Sequence, residues 1–91
     1  MFKVTNNKGF HMTFANGCTI SVQWGPGNYC DNYNNKEDYG MSVPASSTAE
    51  VMAWDAYNNI MHLEDNDEVV GHCNADTVAH FIVIVSSYNQ I

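Results

Sequence analysis

The chain has no arginine, and its only cationic side chains are Lys3, Lys8 and Lys36, set against ten carboxylates. A protein that grips nucleic acid displaces counterions from phosphates with Lys and Arg, and three scattered lysines make no basic stripe. The same shortage argues against an anionic membrane surface. A formal charge of -7 favours instead a basic protein partner or mimicry of a polyanion. Cysteine is scarce as well. Cys18, Cys30 and Cys73 are odd in number and far apart, which suits a reducing cytoplasm rather than a secreted disulfide framework. No apolar run approaches the ~20 residues of a membrane span. The opening Met1-Phe2-Lys3-Val4-Thr5-Asn6-Asn7 has no apolar run behind its lysine, so no signal peptide is expected. No C-x-x-C, H-x-x-x-H or H-E-x-x-H spacing occurs, and neither a metal nor another cofactor is expected.

What is present suits one folded domain over residues 1–91. The apolar fraction is 45% and includes two Trp, five Tyr and four Phe, enough for a modest core. At 91 residues oligomerisation often supplies the missing burial, and a homo-oligomer is the expectation. Phe10, Met12 and Phe14 alternate with His11 and Thr13, the period of a strand with one buried face. Ala15-Asn16-Gly17 then predicts a tight hairpin turn in which Asn and Gly both tolerate positive φ. The second strand runs from Cys18 to Trp24, with Cys18, Ile20, Val22 and Trp24 on one face. Thr48 to Trp54, Ile60 to Leu63 and Glu68 to Cys73 follow as three further strands, separated by turns rich in Asp, Asn and Glu. Asn74 can cap a helix that reaches about Tyr88 and puts Val78, Phe81, Ile82, Val85 and Tyr88 on one face. The β-branched run 81–85 would also suit a strand, but the cap and the length favour a helix. Val83 and Ile84 then point away from the core, as on a self-association surface. The expected fold is α+β: an antiparallel meander sheet of about five strands with one C-terminal helix packed on one face.

From Gly25 to about Ser47 no apolar period is sustained. Connections longer than roughly 12 to 15 residues are uncommon in compact domains and are either functional or mobile. This one combines glycines, which let backbone N–H groups approach a ligand, with aromatic rings that can stack on a base. It is neither a P-loop nor a GxGxxG turn. The candidate ligand-binding residues are therefore Trp24, Tyr29 and Tyr33 as stacking rings, Asn28 and Asn32 as readers of polar edges, and the Gly25 and Gly27 amides with Lys36 for phosphate. An ordered excursion whose tyrosines merely cover the end of the sheet is the alternative. Cys30 as a nucleophile would need a base and an orienting group at distances the sequence does not set, and no catalytic residues are assigned. Elsewhere Asp55, Glu64, Asp65, Asp67 and Glu68 gather negative charge at adjacent turns. Such clusters are mostly solvated turns, but they can also present carboxylates to the arginines of a nucleic-acid-binding protein.

The segment Asn16-Gly17-Cys18-Thr19-Ile20-Ser21-Val22-Gln23-Trp24-Gly25-Pro26-Gly27-Asn28-Tyr29-Cys30-Asp31-Asn32, with Ala49-Glu50-Val51-Met52-Ala53-Trp54-Asp55 and Val69-Val70-Gly71, resembles a family of short phage and prophage proteins carrying an N-G-x-T-x-S-V-Q-W-G-P-G-N-Y-C stretch. The resemblance spans most of the chain. It implies viral origin and the cytoplasm of an infected bacterial host, where proteins of this size often resemble counter-defence factors. The expected function is a non-enzymatic sponge that sequesters a small nucleotide-like host immune signal. The alternative is an acidic anti-CRISPR or nuclease-inhibitor protein that mimics nucleic acid.

Overall fold

The computed structural model describes residues 1–6, 8–34 and 43–89. Six strands form one antiparallel sheet: β1 (Phe2–Val4), β2 (Gly9–Thr13), β3 (Thr19–Gln23), β4 (Ala49–Trp54), β5 (Ile60–Met61) and β6 (Val69–Cys73). One helix, α1 (Ala75–Ser86), follows. The expected α+β meander with a C-terminal helix is the architecture found. Strands β1 to β4 lie side by side in chain order, and β5 and β6 share the far edge of β4. β5 pairs with Ala53 and Trp54, and β6 pairs along Ala49 to Met52.

Alternation decides which side is core. Ile20 and Val22 on β3 face the same way as Val51 and Ala53 on β4, and all four are buried. Phe81 and Val85 of α1 descend on them, with Val78 and Ile82 partly buried beside them. The spacing 78, 81, 82, 85 is the apolar stripe of a helix with one buried side. Asn74 caps the helix start by accepting from the Thr77 N–H at 2.9 Å. Tyr88 lies beyond the helix end and is exposed, so it does not join the core face. Val83 and Ile84 are exposed as the helical period requires.

The β2–β3 turn is longer than an Asn-Gly two-residue hairpin. The Phe14 N–H donates to the Cys18 carbonyl and the Gly17 N–H to the Phe14 carbonyl, both at 2.9 Å. Only Gly17 takes a positive φ, +85°, the pattern of a three-residue loop ending in a left-handed glycine. A Cβ there would also sit 2.7 Å from the Ala56 methyl. Asn16, relieved of a left-handed role, turns its side-chain amide to the end of α1, where it donates to the carbonyls of Val85 at 2.9 Å and Tyr88 at 3.0 Å. The Val85 carbonyl also accepts the Tyr88 N–H at 3.3 Å, so the Asn16 amide adds a second donor to the helix terminus.

Two further features were not expected. The first residues form an edge strand, β1, in register with β2 as Phe2–Met12 and Val4–Phe10. Strand β6 carries a bulge: between its pairings with Val51 and Ala49 it has one residue more than β4. His72 adopts φ +54° there, as an extra bulge residue leaving the ladder can do.

Candidate functional site

The loop after β3 is an ordered set of turns over residues 25–34. The Asn28 N–H closes on the Gly25 carbonyl at 3.1 Å, and the Asn28 side-chain oxygen accepts from the Gly25 N–H at 3.0 Å. The Tyr33 N–H reaches the Cys30 carbonyl at 3.0 Å, and the Gly27 N–H reaches the Tyr33 carbonyl at 3.2 Å. Gly27 takes φ +86° with open space where a Cβ would be. Gly25 is packed so closely on the Lys8 side chain that a Cβ would meet its Cδ at 2.3 Å.

These contacts redistribute the roles assigned from sequence. The Gly25 and Gly27 amides already donate within the loop, so they do not form the outward cradle that phosphate capture requires. Asn28 and Asn32 are structural too. The Asn28 Nδ2 donates to the Glu50 carboxylate at 3.4 Å, and the Asn32 Nδ2 donates to the Trp24 carbonyl at 2.8 Å. Trp24 is half-buried: its Nε1 donates to the Val43 carbonyl at 3.1 Å and its ring meets Phe10 edge-on at 6.1 Å. It walls an open apolar cleft of about 260 Å³ with Val22, Ala49, Val78 and Ile82. Lys36 lies outside the described residues.

Tyr29 and Tyr33 remain as an outward-facing pair. Their rings are stacked, 5.5 Å apart and 12° from parallel, with 54% and 44% of their surfaces exposed. Tyr29 is held from three sides. Its N–H donates to Glu50 Oε2 at 2.8 Å, its carbonyl accepts the His72 N–H at 2.8 Å, and its Cβ lies where a side chain on residue 71 would be, 2.8 Å from an ideal Cβ on Gly71. The bulge in β6 therefore aims a backbone donor at the loop.

Beside the pair lies a polar cluster. The Asp31 N–H donates to the Thr48 hydroxyl at 2.9 Å, and the Asp31 carboxylate accepts from the Ser47 hydroxyl. His72 Nδ1 stands 3.8 Å from Asp31 Oδ1 with both groups exposed. Hydrogen bonds from Ser47 and Thr48, with His72 nearby, hold the Asp31 carboxyl below its ordinary range. Glu50, Gly71 and His72 were missed in reading the sequence. Glu50 gave a signal: an acid inside the otherwise apolar β4 calls for donors, and here they come from the loop.

All three cysteines are free and buried. Cys30 is 1% exposed and its thiol donates to the Gly25 carbonyl, a packed position closed to an external substrate. Burial pushes the Cys18 thiol up, and the neighbouring Asp55 charge adds to that; burial and Glu64 do the same at Cys73. Among the described residues, no three His, Cys, Asp or Glu side chains gather where they could hold a metal ion. No helix among them is long and apolar enough to cross a membrane.

The acidic cluster divides. Asp55 is buried, and its carboxylate accepts from the N–H groups of Tyr57 at 2.8 Å and Asn59 at 2.9 Å. Its charge anchors the β4–β5 turn and is not offered to a partner. Glu64, Asp65, Asp67 and Glu68 are exposed on the turn before β6, where Glu64 and Asp67 form an isolated bridge. Compared with known proteins, the chain matches no family model, no curated protein and no solved structure.

Proposed function

We propose that this chain is a non-enzymatic phage counter-defence protein that sequesters a small nucleotide-like immune signal in the host cytoplasm, holding it by its base on the Tyr29–Tyr33 pair. The carrying observation is that pair: two nearly parallel rings, about half exposed, on a backbone tied to Glu50 and His72. Exposed tyrosines usually lose freedom when they bind a ring, and a pair already stacked has less to lose. A third ring can extend the stack at about 1–3 kcal/mol per base. The phage setting is carried over from the resemblance that residues 16–32 suggest on reading the sequence.

The site favours recognition led by the base. With the glycine amides engaged inside the loop and Glu50 and Asp31 nearby, phosphate groups find few donors and adverse charge. The test is to incubate purified protein with nucleotide signals, heat it, and analyse the supernatant. Release of intact ligand supports sequestration; release of a cleaved product, or no ligand and no thermal shift with any nucleotide, rejects it.

A second reading rests on the exposed turn Glu64, Asp65, Asp67 and Glu68, whose carboxylates would face the arginines of a host nuclease or CRISPR effector. Charge reversal at Asp65 and Asp67 would abolish inhibition of such a protein and leave nucleotide capture intact.

A further inference from the structure

α1 covers only part of its sheet. It packs on β3, β4 and β6 and, among the described residues, does not reach β1 or β2. The register Phe2–Met12–Ile20–Ala53 and Val4–Phe10–Val22–Val51 puts Phe2 and Val4 on the same face as the buried core. Yet Phe2 is 79% and Val4 67% exposed. The core face thus runs out from under the helix as an apolar floor. Along its inner border the flank of α1 presents Ala75, Ala79 and Ile82 across the open cleft from Val22 and Trp24.

The dimensions of this floor identify what fits. Strands lie about 4.8 Å apart, so β1 and β2 make a strip about 10 Å wide, close to the ~10–12 Å diameter of a helix. The five residues of β2 extend about 17 Å, and the twelve of α1 about 18 Å. The chain owns one such helix, and its outer side carries Val83, 61% exposed.

Charge selects the orientation. Every side-chain carboxylate lies at Asp31 or later, whereas Lys8 and the Met1 ammonium belong to the β1–β2 end, with Lys3 there too but on the face opposite the floor. The exposed acids Glu64 to Glu68 precede β6 at the opposite edge. If a second copy is turned over by a two-fold axis so that its α1 lies on this floor, its acidic edge stands over the β1 edge of the first, and the reverse contact follows by symmetry.

We infer that the chain forms a two-fold dimer in which each α1 fills the uncovered β1–β2 floor of the other copy, giving a sheet, two side-by-side helices and a second sheet. The inference does not depend on the ligand of the tyrosine pair. Light scattering coupled to gel filtration should give twice the 10.2 kDa chain mass for the wild type. Ala79→Arg and Val4→Glu, each at an exposed position in the single chain, should give one chain mass while circular dichroism keeps the native spectrum. A wild type of one chain mass over a wide concentration range overturns the inference. So does an assembly that survives both substitutions. If either variant loses its native spectrum, Val83→Asp on the outer side of α1 takes its place, with the same two outcomes.

Discussion

The backbone N–H of His72 donates to the carbonyl of Tyr29 at 2.8 Å, joining the bulge of β6 to the exposed ring pair. A regular strand would point that amide along the ladder to β4. The extra residue between the pairings with Val51 and Ala49 frees it for the loop instead.

Gly71 is the neighbouring requirement. An Ala side chain would stand 2.8 Å from Tyr29 Cβ and 3.2 Å from its carbonyl oxygen, so Gly71→Ala has to displace the loop. Overpacking of this kind costs about 1–3 kcal/mol. Denaturant unfolding should show that loss, and near-ultraviolet circular dichroism should show reduced tyrosine signal from the disturbed stack.

Glu50→Gln keeps the shape but replaces one acceptor oxygen with an NH₂ group. Both carboxylate oxygens accept now, from the Tyr29 N–H and the Asn28 Nδ2. A charge-assisted hydrogen bond is worth about 1.5–3 kcal/mol. The variant should remain folded, and hydrogen exchange should become faster at the Tyr29 amide while amides of β2 and β3 stay protected.

Asn16→Ala removes the side-chain donor to the Val85 and Tyr88 carbonyls and the acceptor of the Cys18 N–H. With partly solvated carbonyls left behind, the expected loss is about 1–2 kcal/mol. Chemical denaturation would register it as a lower midpoint with an unchanged slope.

Acid should weaken the fold in two stages. His11 lies against Trp54, ring centroids 5.2 Å apart, and burial, then the Lys3 charge, lowers its pKa below the ordinary 6.5. Below 6.5 the unfolded chain takes up a proton that the folded chain resists, so stability falls as the pH drops from there to the folded value. Asp31 acts lower. Its depressed pKa gives stability present above the ordinary carboxylate value of about 3.9 and lost as the pH falls through the folded value. Thermal melts of His11→Gln should lose the upper stage and keep the lower one.

Legibility in the sequence followed the range of the interactions. The strands from Phe10 to Trp24 and the stripe Val78, Phe81, Ile82, Val85 are local periodicities and could be read directly. β1 could not, because Phe2, Lys3 and Val4 make too short an alternation to stand out before Thr5-Asn6. The bulge at His72 obeys no local rule, since its reason is a carbonyl 43 positions earlier in the chain, at Tyr29. Within the loop, composition pointed to rings and glycines. It did not separate Tyr29 and Tyr33, which face outward, from Trp24, Asn28 and Asn32, whose polar groups bond to the fold itself.

The most direct test of the central claim is calorimetric titration of wild type, Tyr29→Ala and Tyr33→Ala with a panel of nucleotides. The ring-platform account predicts a nucleotide that binds the wild type, and an affinity about 5- to 150-fold weaker in Tyr29→Ala, equivalent to about 1–3 kcal/mol of lost stacking. Tyr33→Ala, which removes the ring that holds Tyr29 in place, should also weaken binding. A nucleotide bound equally well by the wild type and both variants, or no nucleotide bound at all, would contradict it.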